Sequence, residues 1–134
     1  PPHQTLLAAA AEAGIPIWGD VELAWRMRPR VGGAPWLLVT GTNGKTTTVQ
    51  MLTSMLRAAG LRAASAGNVG TPILEAVMDP QPFDAIAVEL SSFQLHWSDS
   101  IRPQASRADS SSTAPSIRPT RPGRARMRAG GSGP

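Results

Sequence analysis

An apolar run that stops at two glycines, a lysine and three threonines constrains this chain more than any other feature. The run is Leu37-Leu38-Val39, continued by Thr40-Gly41-Thr42-Asn43-Gly44-Lys45-Thr46-Thr47-Thr48. Val49, Leu52, Leu56 and Ala59 then recur at helical spacing. Strand, glycine loop and helix in that order let backbone N–H groups converge on phosphate oxygens, with the positive end of the helix dipole behind them. The long G-x-x-x-x-G-K-[ST] pattern is not met; the shorter G-x-x-G-K-T is. In such a loop Lys45 neutralises the β- and γ-phosphates and the Thr46 hydroxyl ligates Mg²⁺. The competing reading is a glycine turn with an incidental surface lysine. Lys45 is the only lysine beside twelve arginines, so chance placement explains it poorly. The expected ligands are a nucleotide and Mg²⁺.

With 134 residues the chain is long enough for one domain and short for a complete ATP-using enzyme. It has no cysteine, which excludes disulfides and thiolate metal sites. No stretch reaches the length of a membrane span and no signal peptide opens the chain, so a cytoplasmic protein without a membrane partner is expected. The chain starts at Pro1, and the natural amino terminus is expected to lie further upstream. The net charge of +4 invites a nucleic-acid partner, but its distribution argues otherwise. Residues 1–100 carry six basic and eight acidic side chains, a balance of −2, whereas residues 101–134 carry seven arginines and one acid, a balance of +6. A nucleic acid is not the favoured partner, and a monomer is expected.

Residues 4–13 are strong helix formers, with Gly14 placed to end them. Ile15 to Trp18 reads as a short edge strand because it contains Pro16. Asp20 suits the N-cap of a helix through about Met27. The helix after the glycine loop is expected from about Thr46 to Ala59, and a weak strand from Leu61 to Ala66. Thr71 with Pro72 can open a helix over Ile73–Met78, and Phe83 to Glu89 is an apolar strand ending in an acid. Alternating strands and helices predict an α/β fold with a mainly parallel sheet, in which ligands gather at the carboxyl ends of strands. The glycine loop, the Gly67–Gly70 loop and Glu89 all fall at such ends. Beside a phosphate loop, Glu89 is favoured as a metal-holding acid over a merely solvated one. Asn68 is either a turn residue or a ligand-facing amide, and spacing alone favours the turn. Ser91 and Ser92 lack the surroundings of a hydrolase nucleophile, and neither His3 nor His96 has an orienting carboxylate. The four tryptophans read as packing residues.

From Pro103 the sequence turns rich in Arg, Pro, Ser and Gly and poor in large apolar residues. Such a segment cannot bury enough surface to offset its ordering entropy, so residues 103–134 are expected to be disordered.

Three stretches together resemble the Mur ligases, the ATP-dependent amide-bond-forming enzymes of peptidoglycan precursor synthesis. They are Thr40-Gly41-Thr42-Asn43-Gly44-Lys45-Thr46-Thr47, Gly67-Asn68-Val69-Gly70-Thr71-Pro72 and Glu89-Leu90-Ser91-Ser92-Phe93-Gln94-Leu95. Gly14 to Leu23 is similar to the end of the family's N-terminal domain. The resemblance covers about residues 4–102. It implies a division into residues 1–33 (end of the UDP-substrate domain and linker), 34–102 (partial central ATP-binding domain) and 103–134 (tail). It also implies that D-glutamate is joined to UDP-N-acetylmuramoyl-L-alanine through an acyl phosphate. By the same resemblance the nucleotide is ATP, and Gly41, Thr42, Asn43, Gly44, Lys45, Thr46 and Thr47 would bind it, with Lys45 catalytic. Thr46 and Glu89 would hold the metal, and Gly67 and Asn68 would touch the UDP-sugar substrate. The family's Asp-His-Leu-Asp continuation is not found after Leu95, and the tail has the residue usage of a GC-rich gene read out of frame. The chain is therefore expected to be a fragment ended by a frameshift and inactive by itself. The alternatives are another Mur-type ligase, or a non-catalytic nucleotide-binding module whose basic tail engages an acidic partner.

Overall fold

A computed structural model of the chain describes residues 2–107. Four strands, β1 (Trp36–Val39), β2 (Ala63–Gly67), β3 (Ala85–Glu89) and β4 (Ala105–Arg107), form one sheet in the order β2-β3-β1-β4. Every pairing is parallel, with Val39 opposite Glu89 and Gly67 opposite Glu89 on the other side. Five helices accompany them: α1 (Pro2–Glu12), α2 (Asp20–Met27), α3 (Lys45–Ala58), α4 (Ile73–Met78) and α5 (Ser92–His96).

Side-chain alternation along the strands sorts the core into two faces. Trp36, Leu38, Ile86, Val88 and Leu90 point to one side, where they pack with Val21 and Ala24 of α2, Ile73 and Ala76 of α4, and Leu95 of α5. Val39 and Ala87 point to the other side, against Val49 of α3. All five residues of β3 are buried, as expected for a parallel strand covered on both faces. The alternation Ala85-Ile86-Ala87-Val88 explains the asymmetry of the two faces. The small Ala87 faces α3, and the branched Ile86 and Val88 face α2 and α4. Burying a Val, Leu or Ile side chain stabilises the fold by roughly 1.5–3 kcal/mol, so the face under α2 and α4, with the larger buried cluster, carries most of the packing energy. Trp36 anchors it, 1% exposed and edge-on to Trp25 at 5.0 Å between ring centroids.

Several sequence expectations need correcting. Among the described residues Ile15–Trp18 pairs with no strand, and Ile15 and Trp18 stay about half exposed. Asp20 is the first residue of α2 rather than its cap, which is Gly19, and Pro72 rather than Thr71 caps α4. The main correction concerns the tail. The chain does not lose order at Pro103: Pro103 is fully buried, Gln104 donates its N–H to the Trp36 carbonyl (2.9 Å), and residues 105–107 pair with β1. The open edge of β1 supplies backbone partners that three polar or small residues accept whatever their side chains. The expectation of disorder beyond Arg107 falls outside the described residues. Helix α2, on the amino-terminal side of residue 33, shares its core with the sheet.

Candidate functional site

The glycine loop sits at the carboxyl end of β1, in the middle of the sheet. Gly44, at the amino end of α3, has φ +74°, a left-handed conformation that glycine adopts without steric penalty, and a Cβ placed there would meet nothing within 4 Å. The space in front of the loop is open. No side chain caps α3 and no acidic residue stands in its first turn, so its leading N–H groups and dipole are left to an exogenous anion. Two threonines brace the turn: the Thr48 hydroxyl donates to the Gly44 carbonyl (2.8 Å), and Thr46 is considered below. The Lys45 ammonium donates to the Gly41 carbonyl at 2.6 Å, which folds the side chain back over its own loop.

The Thr46 hydroxyl donates to Oε2 of Glu89 at 3.1 Å, across 43 positions of sequence. Glu89 closes β3 and is 4% exposed. Its register between β1 and β2 places it on the axis of the site, and its main-chain carbonyl accepts the Asn68 N–H at 3.2 Å. The Gly67–Gly70 loop is therefore tied to the same residue that meets the glycine loop. Gly67 has φ +100°, and a Cβ there would collide with the Glu89 carbonyl oxygen, so only glycine allows this approach. Asn68 itself is exposed at the rim, as are Thr42, Asn43 and Thr47.

Thus the three stretches singled out in the sequence converge at one end of the sheet. His96 does not join them; its ring lies edge-on to Trp97 at 5.5 Å. Among the described residues no group of three or more His, Asp or Glu side chains gathers to hold a metal. One hydroxyl and one carboxylate suit a hard cation that takes its remaining ligands from phosphate oxygens and water, as magnesium does. Helix α5, like strand β4, escaped the sequence reading. Ser91 and Gln94 form a reciprocal capping box, Ser91 Oγ accepting from the Gln94 N–H (3.2 Å) and Gln94 Oε1 from the Ser91 N–H (3.0 Å). The Ser-x-x-Gln spacing is the signal that could have shown α5. An apolar cavity of about 340 Å³ lies away from the loop, between Leu7, Trp18, Phe93 and Trp97.

A parallel sheet whose glycine loop runs from a central strand into a helix, with a buried acid on the neighbouring strand, defines the phosphate-loop class of α/β domains. The chain belongs to the Mur ligase family: the profile of the Mur ligase middle domain matches residues 39–106. It is similar to the UDP-N-acetylmuramoylalanine--D-glutamate ligase of Streptomyces avermitilis, 65% identical over 101 residues, which is 75% of this chain and 21% of the relative. The enzyme of the same name from Streptomyces coelicolor is 62% identical over 103 residues (75% and 22%), and that of Mycobacterium tuberculosis 59% over 107 (78% and 21%). The chain thus spans about a fifth of the length of these relatives. The family match runs to residue 106, beyond the limit near residue 102 read from the sequence, in agreement with the order of β4.

Proposed function

We propose that this chain is the nucleotide-handling part of an ATP-dependent amide-bond-forming ligase that, at the full length of its relatives, joins D-glutamate to UDP-N-acetylmuramoyl-L-alanine. The observation that carries this reading is the Thr46–Glu89 hydrogen bond at the mouth of an uncapped α3, beside the one lysine. Thr46 and Glu89 would hold magnesium, and residues 41–47 would hold the nucleotide phosphates. Bound there, MgATP supplies an electrophilic phosphoryl group for activating a carboxylate. Lys45 is the catalytic cation: it gives up the Gly41 carbonyl and stabilises negative charge on the phosphates. Glu89, buried between two strands, fixes the Thr46 hydroxyl so that the loop does not reorganise at the moment of reaction. Gly67 and Asn68 would contact the muramoyl substrate. The ligation itself is assigned to the longer form, and the 134-residue chain is expected to bind MgATP without ligating.

Calorimetry of MgATP binding to this chain and to Lys45→Ala tests the proposal. Loss of a charge-assisted hydrogen bond is worth about 1.5–3 kcal/mol, so a loss of affinity of about tenfold or more is expected, with the circular dichroism spectrum unchanged. Equal binding by the two chains, or no binding by a folded parent chain, would overturn it.

A further inference from the structure

We propose that the cleft between the carboxyl end of α2 and the loop after α5 binds a phosphate-type oxyanion through Arg28 and Arg30. Arg26, Arg28 and Arg30 surround a cavity of about 320 Å³ together with Trp25 and Ser100. The helix dipole accounts for one cation near the end of α2, and Arg26 fills that role. Arg26 is also neutralised: its Nε donates to Glu22 Oε1 at 2.7 Å, and its Nη2 donates to Ser100 Oγ at 2.9 Å. The second oxygen of Glu22 accepts the Ser100 N–H at 3.1 Å, so this carboxylate, 2% exposed, is fully engaged. Neither Arg28 nor Arg30 forms an ion pair among the described residues, where the two pairs are Arg26–Glu22 and Arg62–Asp79. Three arginines against one glutamate leave the cleft two positive charges.

Arg28 is held in place before any ligand arrives. Its guanidinium carbon stands 3.6 Å from the centroid of the Trp25 ring. Stacking satisfies the face of a guanidinium and leaves its in-plane N–H groups, the fork that matches an oxyanion bidentately, still to be paired. One of those donors, Nε, is buried with no hydrogen-bond partner. Burial also holds the Arg28 pKa below its ordinary value, as it does for a cation deprived of solvent and given no counter-charge. Trp25 is itself fixed edge-on against the buried Trp36, so the platform is rigid. A doubly charged phosphate or diphosphate group matches the uncompensated charge, and the cavity leaves room for the organic part of a phosphorylated molecule.

Trp36 is the first residue of β1, so the cleft lies at the opposite end of that strand from the glycine loop. The two sites share no residue, and failure of one leaves the other standing. The test titrates sodium pyrophosphate into the Lys45→Ala chain, which silences the loop, and follows the indole N–H resonance of Trp25, with sodium chloride at matched ionic strength as the blank. The expected result is a saturable shift, with affinity reduced at least tenfold in Lys45→Ala/Arg28→Gln and severalfold in Lys45→Ala/Arg30→Gln. Arg30 is exposed, so its variant keeps the fold and the comparison stands even if Arg28→Gln unfolds. A shift no larger than that of chloride, unchanged affinity in the Arg30→Gln chain, or tighter saturation by succinate than by pyrophosphate would overturn the proposal.

Discussion

At the scale of single residues, two glycines do different work and should fail differently. Gly44 needs its left-handed backbone but has open space around it, so Gly44→Ala should destabilise the fold by only about 1 kcal/mol while weakening MgATP binding. Gly67 needs both the backbone and the missing side chain, because a Cβ would strike the Glu89 carbonyl. Gly67→Ala is expected to lose about 2 kcal/mol or more, and denaturant unfolding of the two variants side by side checks the difference. Glu22 gives a pH prediction. Burial raises its carboxyl pKa, but hydrogen bonds from Ser100 and the Arg26 guanidinium outweigh burial and hold it below the ordinary value of 4.5. A lowered folded-state pKa contributes stability that is full above the unfolded-state value and fades as pH falls through the folded-state one. Acid unfolding of the parent should therefore steepen below about pH 4.5, and Glu22→Gln should flatten that limb in a thermal-melt series from pH 3 to 7. The glycine loop was legible because its chemistry is contiguous. Glu22 and Ser100 stand 78 positions apart, and nothing local in either stretch announces the pairing.

Among the elements, the short ones are where sequence and structure part. Helix α5 has five residues and depends on its cap, so Ser91→Ala should lower stability by about 1 kcal/mol, or the melting temperature by about 4–8 °C. Strand β4 was hidden because Ala105-Ser106-Arg107 has no apolar alternation; its pairing comes from the backbone groups that β1 offers. Ile15–Trp18 shows the converse, a stretch with strand-like residues and no neighbour to pair with. Comparing a chain that ends at Arg107 with one that ends at Arg102 isolates this element. The shorter chain lacks buried Pro103 and exposes the edge of β1, and it should melt at a lower temperature and self-associate, as light scattering would show. The long elements were readable to within about two residues, since helix periodicity in α3 and the apolar run into β3 agree with what the tertiary structure needs.

For the molecule as a whole, the parallel order β2-β3-β1-β4 gathers loops of different parts of the chain at the carboxyl end of the sheet. A ligand held only by the folded arrangement stabilises it by mass action, by about 2.7 kcal/mol at a hundredfold excess over the dissociation constant. MgATP at that excess should accordingly raise the melting temperature of the parent chain by several degrees and that of Lys45→Ala by about half as much or less. That α/β architecture and the convergence of the loops could be foreseen from alternating periodicities. The arginine cleft could not, because Arg26 near the end of a predicted helix and Arg28 and Arg30 just beyond it look in sequence like ordinary solvated charges until Trp25 and Ser100 are seen beside them. The position of Glu89 has one further consequence. Its side chain steadies one loop and its carbonyl the other, so the two loops pivot on a common fulcrum. A ligand at one loop that displaced Glu89 would act on the other loop as well, and by linkage any such coupling would be equal whichever ligand came first.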